Sequence, residues 1–82
     1  MKPYANESDV LQLDGLTIEN RTDRISLHGE IDITRDKRGL AAVKELKTLI
    51  DATLKVLEAD DAKGKLPEDI AIKQTVSVDN PF

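Results

Sequence analysis

His28 is the only histidine of the chain, and it stands among side chains able to move protons. Ser26, Glu30 and Asp32 occupy alternate positions around it, and Glu19 belongs to the preceding strand-like run. A serine, a histidine and a carboxylate can form a nucleophile and its base. The spacing opposes that use here. Same-face residues on one strand lie about 7 Å apart, whereas nucleophile and base must approach within about 3.2 Å. Glu19, Glu30 and Asp32 could also hold a cation weakly or serve as an acid–base pair. An open sheet face, however, builds no pocket that would shift a pKa. Asp60-Asp61 and Glu68-Asp69 lack the ligand spacing of a calcium loop. The expectation is no enzyme, with no catalytic, cofactor or metal site. The polar strand face then keeps that side in water and discourages edge association.

Two other groups of residues could carry binding. Arg35, Lys37 and Arg38, with Lys44 one to two turns later, form the only basic cluster and could meet phosphate or an acidic partner. The second group is an apolar stripe at helical spacing. Val43, Ile50 and Leu57 recur every seven residues, with Leu46 and Thr53 between them. Ala42, Leu49 and Val56 flank one side, and Leu40 and Leu54 the other. This stripe is broader than a two-position seam. A helix of this kind can cover a sheet and still leave apolar surface at its margin. Leu49, Val56 and Leu57 are the expected interface residues, with Leu46 and Ile50 assigned to the protein's own core.

Composition narrows the classes. The 82 residues suffice for one domain. Tyr4 and Phe82 are the only aromatic residues, so the core must be aliphatic and platforms for stacking bases are missing. There is no cysteine, which excludes disulfides and thiol nucleophiles and favours a reducing cytoplasm. No apolar run approaches the ~18 residues of a membrane span, and residues 1–9 have no apolar segment of the signal-peptide kind. The formal net charge of −4 is divided evenly, with 6 basic and 8 acidic side chains in residues 1–40 and the same numbers in 41–82. No basic half exists to grip a phosphate backbone.

These residues need elements to position them. Residues 1–9 read as a flexible tail. Val10–Leu13 reads as an edge strand or an apolar flap, ahead of an Asp14-Gly15 turn. Leu16–Asn20 alternates apolar and polar residues, as does Ile25–Ile33, the clearest strand. A hairpin pairing Asn20 with Ile25 sets Ile18 opposite Leu27 and Thr17 opposite His28. Gly29 reads as a bulge or a close approach of the helix. The helix is capped by Thr34, or alternatively by Asp36, and ends near Ala59. Its polar side includes an Asp51–Lys55 pair four residues apart. After a charged loop from Asp60 to Asp69, Ile70, Ile72, Val76 and Val78 alternate as a further strand, and residues 80–82 are a tail. The fold class is α+β, with an antiparallel or mixed sheet of three to four strands in the order β-β-α-β. One long helix covers one face, and residues 10–79 form a single domain.

Ile25-Ser26-Leu27-His28-Gly29-Glu30-Ile31-Asp32-Ile33, followed by a helix, resembles the opening of a STAS-type domain, the fold of anti-sigma-factor antagonists. That family's next strand and its Asp-Ser-Ser-Gly phosphorylation segment have no counterpart here, so the resemblance assigns no functional residue. Asn80-Pro81-Phe82 resembles the tripeptide bound by EH domains. The function expected is that of a small cytoplasmic interaction or accessory protein that self-associates as a homodimer or binds a protein partner. The alternative is a nucleic-acid accessory protein using Arg35, Lys37, Arg38 and Lys44. Neither a membrane nor a small-molecule ligand is expected.

Overall fold

Asp14-Gly15 turns the chain between its first two strands, with Asp14 at φ 51°, a conformation that short polar side chains tolerate. The structure is a computed structural model and describes residues 1–70. Strand β1 (Val10–Leu13) pairs antiparallel with β2 (Leu16–Asn20), setting Leu11 opposite Ile18 and Leu13 opposite Leu16. A second turn, closed by the Arg21 N–H donating to the Arg24 carbonyl at 2.9 Å, leads to β3 (Ile25–Gly29). β3 pairs antiparallel with the other side of β2. Asn20 lies opposite Ile25, Ile18 opposite Leu27, and Thr17 opposite His28, the register that the alternation of side chains requires.

The element order among the described residues is β-β-β-α, in a sheet ordered β1-β2-β3. The expected order β-β-α-β is corrected at its start. Val10–Leu13 is a full strand whose four residues all have partners. The strand expected after the helix lies, past Ile70, outside the described residues, as does the tail at 80–82. The third observed strand also stops earlier than the alternation to Ile33 suggested. Its partner β2 begins at Leu16, opposite Gly29, so Ile31 and Ile33 have no ladder left to join. Gly29 adopts φ 101°, and a Cβ there would stand 2.1 Å from the Gly15 carbonyl oxygen. The close approach is therefore to the β1–β2 turn and not to the helix.

Helix α1 (Lys37–Ala62) is capped by Asp36, the second of the two residues considered for that role. One Asp36 carboxylate oxygen, Oδ1, accepts from the Gly39 N–H at 2.8 Å and from the Thr34 hydroxyl at 2.7 Å. Gly39 comes so close to the preceding loop that a Cβ would stand 1.7 Å from the Thr34 carbonyl oxygen. The helix runs to Ala62, three residues beyond the expected end. Asp60 and Asp61 sit unfavourably for the dipole, but only at Lys63-Gly64 does the backbone turn away, closed by N–H groups that donate to Ala59, Asp60 and Asp61 carbonyls.

The core is small. Ile18 is completely buried, and the helix contributes Gly39, Ala42 and Leu49. Leu11, which shares a sheet face with its cross-strand partner Ile18, lines a shallow cleft with Met1, Leu49 and Ala52, so the helix lies over that face. Burying Ile18 contributes about 1.5–3 kcal/mol.

Asn20 is also fully buried, and its side chain holds residues 1–9, expected to be a flexible tail. Asn20 Oδ1 accepts from the Tyr4 N–H at 2.8 Å, and its Nδ2 donates to the Lys2 carbonyl at 2.9 Å. Asn6 Oδ1 accepts from the Ser8 and Asp9 N–H groups, and the Thr22 hydroxyl donates to the Glu7 carboxylate at 2.6 Å. Replacing Asn20 with Ala removes two hydrogen bonds to the N-terminal segment, at a cost of about 1–3 kcal/mol. Chemical denaturation of Asn20→Ala should show that loss, with faster amide hydrogen exchange at Tyr4.

Candidate functional site

The helix carries two apolar rows, each advancing by steps of three and four residues. The inner row is Gly39, Ala42, Leu46, Leu49, Thr53, Val56 and Asp60. Gly39, Ala42 and Leu49 in it are buried and the rest half-buried. The outer row is Leu40, Val43, Lys47, Ile50, Leu54 and Leu57. Four of its residues are well exposed: Leu40 55%, Val43 39%, Ile50 48% and Leu54 51%. Lys47 is exposed too, and only Leu57 is half-buried. At 3.6 residues per turn, moving one position along the chain moves about 100° around the axis. The outer row therefore lies roughly a quarter turn from the face that meets the sheet.

This division revises the expected assignment of faces. Leu49 lies beneath the sheet, and Val56 and Leu57 are half-buried, whereas Ile50, assigned to the core, is exposed. The broad stripe was visible in the sequence, but which margin of it would stay uncovered was not. Lys47 was missed, although its place in the three-four spacing marks it. It bonds the Asp51 carboxylate one turn on, so Asp51 pairs with Lys47 and not with the expected Lys55.

The basic cluster sits among acids. Arg35, Lys37, Arg38 and Lys44 are all exposed. Arg38 donates to Asp14 at 3.2 Å, and Asp14, Glu30, Asp32 and Asp36 line the same groove at the start of the helix. The local field is thus mixed in sign.

The polar sheet face brings His28 and Glu19 together across β2 and β3, with Nε2 3.3 Å from a Glu19 oxygen. The other Glu19 oxygen accepts from Arg21 at 2.9 Å. Glu19 is therefore shared between two partners on an open face. Among the described residues, no group of three or more His, Asp or Glu side chains is arranged to hold a metal ion. No helix of the described residues is long and apolar enough to cross a membrane.

Several exposed carboxylates have altered affinities for protons. The Thr34 hydroxyl and then the Gly39 N–H hold Asp36 below its ordinary value. The Thr22 hydroxyl and N–H do the same for Glu7, and the Arg24 guanidinium for Asp23. Tyr4 lines one cleft with Leu57 and Asp60, beside the last turns of α1; burial first and then the Asp60 charge raise its pKa above the ordinary value.

No protein-family model, curated protein or solved structure matches this chain. The fold and the exposed face of its helix therefore carry the functional argument by themselves.

The carboxylate shifts set a direction for pH dependence. A carboxyl whose folded pKa is depressed adds stability above its unfolded pKa and loses it as pH falls through the folded value. The melting temperature should stay level from about pH 7 to 5 and drop below about pH 4. The paired substitution Asp36→Asn with Glu7→Gln should flatten that drop in a thermal melt series.

Proposed function

We propose that this chain is a small non-catalytic interaction protein that meets its protein partner through the outer row of α1. The observation that carries this reading is the exposure of Leu40, Val43, Ile50 and Leu54 along one continuous row, beside a row already used against the sheet. Isolated exposed apolar residues are ordinary. Four such residues over four turns, interrupted only by Lys47, form a row of the kind that marks interaction surfaces. The lack of cysteine fits work in a reducing compartment such as the cytoplasm. The basic cluster supports a nucleic-acid role less well, because Arg38 is paired and acids line its groove.

The reading requires that the outer row is not part of the protein's own core. The double variant Ile50→Glu with Leu54→Glu should change unfolding free energy by less than about 1 kcal/mol, as surface substitutions do. Leu49→Glu, on the buried row, should cost more than about 3 kcal/mol or prevent folding. Chemical denaturation followed by circular dichroism measures both, at a protein concentration low enough that every variant and the unaltered chain are single chains. A large loss of stability in the double variant would mean that the outer row is covered within its own chain, and the proposal would fall.

A further inference from the structure

Building on the reading of the outer row as an interaction face, we infer that its occupant is a second copy of this chain. The two helices run antiparallel, with the two-fold axis passing between Lys47 and Ile50. Leu40, Val43, Lys47, Ile50, Leu54 and Leu57 alternate steps of three and four residues, the spacing of a seam between two helices. Over its 17 residue steps this seam is about 26 Å long.

Charge selects the direction. In a parallel, in-register pair, Lys47 meets Lys47 of the second copy in the middle of the seam, and like charges oppose pairing. An antiparallel pair centred at Lys47 itself makes the same clash. Centring the axis between Lys47 and Ile50 removes it. The layers then join Val43 with Leu54 of the second copy and Lys47 with Ile50, and at each end Leu40 meets the edge of Leu57 that its own Tyr4, Leu66 and Pro67 leave uncovered. The Lys47 stem lies along Ile50 of the other copy while its ammonium stays at the rim. There it reaches Asp51 of the second copy as well as its own Asp51, its partner in the single chain. Lys44, one position outside the seam on the side away from the sheet, comes within reach of the same Asp51. On the sheet side, Leu46 faces Thr53 of the second copy, both half-buried in the single chain. A single lysine in an apolar seam fixes register at a cost in stability, so this dimer forms reversibly.

The chain has no cysteine, so introduced cysteines report the geometry without background. The experiment combines light scattering of the unaltered chain at several concentrations with disulfide formation between Val43→Cys and Leu54→Cys variants. The expected mass rises with concentration from near 9.1 kDa toward twice that value. The Ile50→Glu, Leu54→Glu double variant should stay at the lower mass. A mixture of Val43→Cys and Leu54→Cys should cross-link at least about tenfold faster than either variant alone, since only the mixed pair shares a layer. Fastest linkage of Val43→Cys to itself would establish a parallel pair and overturn the inference. A single-chain mass at every concentration would also overturn it and leave the face to a different protein. The stability of the double variant then decides the broader reading independently.

Discussion

β2 is five residues long, and nearly everything in the described structure passes through it. It is the central strand, so both hydrogen-bonded ladders end where it ends. Its Ile18 is the completely buried apolar side chain, and its Asn20 holds the N-terminal segment in place through two backbone hydrogen bonds. Five residues of strand span about 17 Å, whereas the 26-residue helix spans about 39 Å. A sheet of this length cannot cover such a helix along its whole length or around its whole apolar arc.

The division of the helix into a covered row and an exposed row follows from that mismatch. The side chains that meet the sheet are small at the start of the helix, Gly39 and Ala42, where the backbone presses against the loop from Thr34. The larger Leu49 fills the space beside Leu11 farther along. With the inner row seated in this way, rotation of the helix is fixed. Leu40, Val43, Ile50 and Leu54 are then left in solvent.

The candidate chemistry around His28 illustrates the same constraint from the other side of the sheet. Pairing across β2 and β3 does bring His28 to Glu19, a contact that reading a single strand could not supply. The surroundings remain an open three-stranded surface, with Glu19 divided between His28 and Arg21. The basic cluster at the helix start is likewise tempered by acids that arrive from the β1–β2 turn and from the segment after β3. Sequence proximity grouped the cations, and the fold added the anions.

The local elements could be read from the order of residues alone, because their causes are local. Alternation of apolar and polar residues set the β2–β3 hairpin and its register, and the spacing of Leu, Val and Ile set the helix. The order of residues also placed Asp36 among the two residues able to cap that helix. Tertiary structure decided what depends on distant neighbours. β3 ends at Gly29 because β2 has no residue beyond Leu16 to pair with, and Val10–Leu13 becomes a strand because β2 offers a free edge. The N-terminal segment is tied to the sheet because the buried Asn20 amide bonds the Lys2 carbonyl and the Tyr4 N–H. Which side of the apolar stripe stays exposed also lies beyond any spacing rule. The two rows have the same three-four period, and only the contact with the sheet distinguishes them.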